Sequence, residues 1–209
     1  MKKFLDNIRK QDDTLSLKRK VINTAFLFLL GIILGLFSKW LDSRYFDNII
    51  LDYLDLGNFF TNMAIWLFIA LTISIYSKTP KRAALNVFLF FLGMTISYHL
   101  YTVFFIGFNP KNYMMVWYVL TIVSPIFAYI SWYAKSNSKY SMILCSIIIF
   151  VMLESCFSIG MWYFDTRGIL YTIIFIVTIC ELYNNIKNIV ISLIIGFLLS
   201  FIITIPFIN

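Results

Sequence analysis

The chain has 209 residues, of which 61% are hydrophobic and 13% charged, against roughly 45–50% and 25% in soluble domains. That excess excludes a water-soluble fold. The net charge of +7 would suit nucleic acid, but Lys2, Lys3, Arg9, Lys10, Lys18, Arg19 and Lys20 all precede the first apolar run, where basic residues set topology and contact anionic lipid. The expected partner is therefore the lipid bilayer and not nucleic acid.

Residues 1–20 read as a short cytoplasmic helix or a flexible basic arm. With Asp6, Asp12 and Asp13 among its cations, the arm is too long and too mixed in charge for a signal peptide, and no small-x-small cleavage site follows the first apolar run. Residues 21–209 then form one transmembrane domain. The first span covers residues 21–40, where Thr24, Gly31, Gly35 and Ser38 make a stripe of small residues suited to close helix packing. In residues 42–58, Phe46, Ile49, Ile50, Tyr53 and Leu54 share a helical face away from the acidic positions, which predicts an amphipathic helix lying in the interface.

The second span is placed at residues 59–76, and the basic turn Ser77-Lys78-Thr79-Pro80-Lys81-Arg82 follows. The third, residues 83–106, carries Thr95, His99 and Thr102 at i, i+4 and i+7, on one face of a helix. The fourth, residues 113–133, contains Pro125, which removes a backbone donor and predicts a kink. Glu154 falls near the middle of the fifth, residues 141–163. A short sixth span covers residues 169–182. The seventh covers residues 189–208, with Ser192, Gly196 and Ser200 as a second small-residue packing stripe.

If the N-terminus is cytoplasmic, only Lys39, Arg44, Lys111 and Arg167 of the 17 basic residues lie outside. The bias predicts an all-α bundle of seven transmembrane helices with an extracellular C-terminus. The alternative is six spans plus a re-entrant hairpin, because the sixth is short.

His99, the chain's only histidine, and Glu154 are the informative residues, since ionisable groups inside a membrane are costly unless paired or functional. Placed at similar depth on spans three and five, they would serve as a proton relay, a cation site or a ligand anchor, with Thr95 and Thr102 in support. The plainer alternative is a structural hydrogen bond between two helices. Tyr98, Tyr101, Tyr113, Trp117, Trp132, Trp162 and Tyr163 suit either interfacial belts or an aromatic-walled outer pocket. Asp165 and Arg167 read as a surface ion pair. One His and one Glu are too few for a metal site. Cys145, Cys156 and Cys180 form no CxxC pair and read as small core residues. GxSxG, HExxH and Walker patterns are absent, so neither catalysis nor a cofactor is expected.

At Lys39-Trp40-Leu41-Asp42, Leu54-Asp55-Leu56-Gly57-Asn58, Ser77-Lys78-Thr79-Pro80-Lys81-Arg82-Ala83-Ala84-Leu85-Asn86 and Trp162-Tyr163-Phe164-Asp165, the chain resembles small polytopic membrane proteins of Gram-positive bacteria. That resemblance implies a bacterial plasma membrane and no particular activity. A looser likeness is to the substrate-binding subunits of energy-coupling-factor vitamin transporters. The chain departs from them in its seventh span and in lacking an Ala-x-x-x-Ala docking pair, for which Gly31 and Gly35 are approximate stand-ins. The expected function is small-solute or proton/cation-coupled binding or transport among spans three to five. The alternative is an accessory or assembly protein that packs on a membrane partner through its small-residue stripes.

Overall fold

A computed structural model describes residues 8–12, 14–43, 54–160 and 162–204. Its helices are α1 (Leu17–Asp42), α2 (Leu56–Thr61), α3 (Met63–Tyr76), α4 (Pro80–Tyr101), α5 (Lys111–Ser131), α6 (Lys139–Cys156), α7 (Ile169–Leu182) and α8 (Ile186–Thr204). A π-helical turn, Thr102–Ile106, prolongs α4, and a 3-10 turn, Trp132–Ala134, prolongs α5. Gly107 closes the π turn at φ +77°, a conformation that costs glycine little. Most of residues 42–58, and with them the expected amphipathic helix, lie outside the described residues.

Local chemistry explains the helix starts. Ser16, Thr79 and Ser138 each accept a hydrogen bond from the backbone N–H three residues on, which satisfies an otherwise orphaned donor. Pro80 follows Thr79 at the first helical position, where its missing N–H is harmless.

Two of the expected spans are corrected. The second is broken at Asn62, whose extended backbone ends α2 and whose side chain accepts from Ala64 N–H at 3.3 Å to start α3. The fifth stops at Cys156 rather than running to residue 163. From Phe157 the backbone is extended, and β1 (Phe157–Ile159) pairs antiparallel with β2 (Phe164–Thr166), Ser158 opposite Asp165. Among the described residues this short hairpin is the only strand pairing, in a bundle that is all-helical as expected.

Apart from the short α2, successive helices run in alternating directions between two ends of the bundle. At the near end, where α1 begins, lie the C-termini of α3, α5 and α7. At the far end Lys39 of α1, Tyr98 of α4 and Tyr113 of α5 meet, and the Tyr171 hydroxyl of α7 donates to Asn58 O of α2 at 3.3 Å. α3 is central, packing on α4, α5, α6 and α7, with Ala64, Trp66, Leu71 and Ile75 buried.

Both small-residue stripes lie in helix crossings. A Cβ added to Gly31 would stand 2.1 Å from Phe90 O, and one added to Gly93 2.5 Å from Phe28 O, so α1 and α4 approach through mutual glycines. Ser97 donates to Ile32 O at 3.1 Å across the same crossing, and Gly35 lies against Met94 and Ser97. On the other side of the molecule Ser192 of α8 donates to Met142 O at 3.1 Å, and Gly196 lies against Ile149 and Ser146 of α6. Both stripes thus pack on helices of the same chain. Backbones this close exchange dispersion and hydrogen bonds that hydrocarbon cannot offer.

Among the described residues, five helices are long and apolar enough to cross a membrane, while α3 and α7 are apolar but have 14 residues each. The outward faces of α1, α5 and α8 expose Phe26, Ile33, Ile122, Phe127, Leu198 and Ile202. Such a surface suits hydrocarbon and not water.

Candidate functional site

The stripe on α4 faces α5, as a polar stripe in an apolar helix must face protein. Thr95 is fully buried with its hydroxyl 3.1 Å from that of Thr121. Because Thr121 spends its proton on Trp117 O (2.8 Å), Thr95 is the donor of that pair. Thr102 donates to Tyr98 O at 2.8 Å within its own helix. The imidazole of His99 lies between Tyr118 Oη (2.7 Å from Nδ1) and Asn109 Oδ1 (3.2 Å from Nε2). Asn109 Oδ1 accepts only, so Nε2 carries the proton and Nδ1 accepts from Tyr118 in the neutral ring. Tyr101 leaves this group and stacks on Phe105, ring centres 4.9 Å apart.

Glu154 has other partners. Its Oε1 accepts from the buried hydroxyl of Ser200 on α8, and Arg167 donates to its backbone carbonyl at 3.4 Å. The expected His99–Glu154 pair is therefore not brought together. α6 packs on α8, and Glu154, in its last turn, lies on that face. Arg167 and Asp165 likewise do not pair, since Asp165 accepts from the Thr166 N–H at 2.8 Å. Pro125 sits inside α5, and the Thr121 carbonyl it deprives of an amide accepts from Ser124 Oγ at 2.9 Å. Cys145 and Cys156 are buried as expected, but Cys180 is exposed on the bundle's outer surface.

The site that does assemble lies at the far end, among α1, α2, α3, α4 and α5. Ser38, Trp66, Thr95, Tyr98, Tyr113 and Trp117 help to line a cavity of ≈ 10 Å³, about the room of one water molecule. Trp66 and Trp117 meet edge to face with ring centres 6.4 Å apart, Trp117 and Tyr113 at 6.3 Å, and Tyr113 and Tyr98 at 6.1 Å. Ser38 Oγ and Trp66 Nε1 both donate to Phe60 O, at 3.0 and 2.9 Å, so α2 is tied across the cavity. At its rim the Lys39 ammonium pairs with Asp42, 5.3 Å above the Tyr98 ring, and the Tyr98 hydroxyl points at Asp42 Oδ2 at 3.5 Å. Tyr98, Tyr113 and Trp117 therefore meet around this cavity. Trp162 and Tyr163 are exposed beside the hairpin, and Trp132 is at the opposite end of the bundle.

At the near end, cations cap helix C-termini, where carbonyls lack intrahelical donors. The Arg9 guanidinium donates to Trp132 O and Ile75 O and lies 4.1 Å over the Trp132 ring, while Trp132 Nε1 donates to Ser77 O. Burial pulls the Arg9 pKa down from its usual value, though an arginine there stays charged. Asp12 N–H donates to Lys78 O at 3.2 Å and its carboxylate pairs with Lys78 at 3.0 Å. Hydrogen bonds from Thr14 and Lys78 hold the Asp12 carboxyl below its ordinary range. Lys135 donates to the Glu181 carbonyl, and the Glu181 carboxylate accepts from Thr72 of α3. Sequence reasoning missed Arg9, Lys135 and Glu181 as anchors, because an arginine in a basic arm and a glutamate at a helix end look solvated. The only signal was Glu181's place in an apolar helix. Among the described residues no group of three His, Cys, Asp or Glu side chains gathers to hold a metal.

Comparison with protein-family models, curated proteins and solved structures finds no match.

Proposed function

We propose that this chain is a bacterial plasma-membrane protein that crosses the bilayer seven times and binds a small solute in its far-end aromatic pocket. The near end is cytoplasmic in this reading, the C-terminus is outside, and the pocket opens outward. Basic-residue bias supports the orientation, and the alternating helix directions support seven crossings. At about 21 Å each, α3 and α7 are shorter than the roughly 30 Å hydrocarbon core, so the flanking aromatic and polar residues would reach into it.

One observation carries the solute site. The rim of the cavity is where clustered aromatic rings, hydroxyls from facing helices and an ion pair converge, the mixture by which ligand pockets combine apolar contact with orientation. The cavity has room for about one water, so a larger solute enters only as the α1–α2 side parts from α5. Native mass spectrometry of the protein extracted from its own membrane tests this. A bound small molecule that disappears in Trp117→Ala but persists in Glu154→Gln is the expected result. A protein that carries none, and whose Trp66 and Trp117 fluorescence is unmoved by a small-molecule extract of the native cells, rules the reading out.

A further inference from the structure

We propose that Asp42 and the face of Tyr98 form a recognition site for an organic ammonium ion, with Lys39 as its tethered occupant. The inference rests on the solute-site reading and names its ligand class. An organic ammonium is read by an opposite charge together with an aromatic face within about 6 Å of the cation. Lys39 Nζ has both, being bonded to Asp42 and 5.3 Å from the centre of the Tyr98 ring. The Tyr98 hydroxyl, directed at Asp42 Oδ2, holds carboxylate and ring as one unit.

The rim pair is sheltered, with side-chain exposures of 14% for Lys39 and 35% for Asp42. The pair spans one turn of α1, so Lys39 is a tethered competitor, and its truncation leaves Asp42 and the Tyr98 ring to a free ammonium. Lys39 adjoins Ser38, which lines the cavity, and the Tyr98 ring is common to cavity and rim. A ligand whose ammonium replaces the Lys39 head can thus lay its apolar remainder against Tyr113 and Trp117. An anion would meet a carboxylate and the negative faces of the rings. A metal ion would find, among the described residues, one carboxylate where several oxygen ligands are needed.

The experiment is calorimetric titration of the protein in lipid nanodiscs with propylammonium, which matches the three carbons and ammonium lost in Lys39→Ala. Lys39→Ala is expected to bind it about tenfold or more tightly than the unaltered protein, and Lys39→Ala/Asp42→Asn to lose that gain. Propan-1-ol, its neutral counterpart, is expected to show no gain. Equal affinity in the unaltered protein and Lys39→Ala, or a gain that survives Asp42→Asn, overturns the proposal. An equal gain for propan-1-ol also overturns it while leaving the solute site standing. Failure of both compounds, together with no co-purifying molecule, removes both readings. Size-exclusion and thermal unfolding establish that each variant folds, and Lys39→Ser replaces Lys39→Ala if that variant does not.

Discussion

His99 and Glu154 each answer to a local partner, and that decides what a substitution at either position does. His99 is held by Tyr118 and Asn109, and Glu154 by Ser200. Because they share no partner, the stability losses of His99→Ala and Glu154→Gln are expected to add within about 0.5 kcal/mol. A double-mutant cycle by thermal unfolding checks this, and a coupling of 1 kcal/mol or more would restore the direct pair. Asp12 gives a pH effect at the same scale. Its folded pKa lies below the ordinary carboxylate value, so docking of the arm is fully supported above that value. The support is lost as pH falls through the lowered folded pKa. Hydrogen exchange of residues 8–12 is expected to quicken relative to the rest of the protein on acidification, and Asp12→Asn to flatten that response.

Among the elements, the α1–α4 crossing has the least tolerance. Gly31→Ala would drive a methyl into the Phe90 carbonyl, a backbone atom that cannot swing aside. The expected loss is about 1–3 kcal/mol, as for other overpacked contacts. Gly57→Ala, where the nearest atom to an added Cβ is 3.8 Å away, is the control and should unfold like the unaltered protein. The stripes on α1 and α8 could be read as packing faces because membrane helices approach only where side chains are small. Their partners, α4 and α6, could not, since a stripe carries no mark of the helix it meets. α6 was misjudged at its end for a related reason. The apolar run continues through Phe157 and Ile159, and hydrophobicity alone does not separate a helical turn from a short buried strand.

For the whole molecule, the up-and-down order of helices makes a topological prediction. With the native cysteines replaced, a membrane-impermeant maleimide added to intact cells should label Asp165→Cys at the far end. It should spare Asn137→Cys and Lys187→Cys at the near end, all three positions being exposed. Labelling of Lys187→Cys together with Asp165→Cys would mean that α7 does not cross, as a re-entrant hairpin requires. The arm shows the same dependence on the whole. Arg9 reads as one more cation of a topology signal, yet it binds the carbonyl ends of α3 and α5, the two helices that carry Trp66 and Trp117.

By itself the sequence determined a bundle of apolar helices with a basic leading end, because hydrocarbon demands that every backbone group be satisfied within its own helix. It also located the polar stripe of Thr95 and His99, the small-residue faces and the aromatic residues of the far end. Only the tertiary structure decided which of these meet. Glu154 meets Ser200 because α6 packs on α8. Tyr98, Tyr113 and Trp117 are joined by Trp66 from a helix that begins after the break at Asn62. Lys39 is laid over Tyr98 because the glycine crossing brings α1 onto α4. Those pairings depend on where helices stop and how closely they cross, and both are set by contacts between residues far apart in the chain.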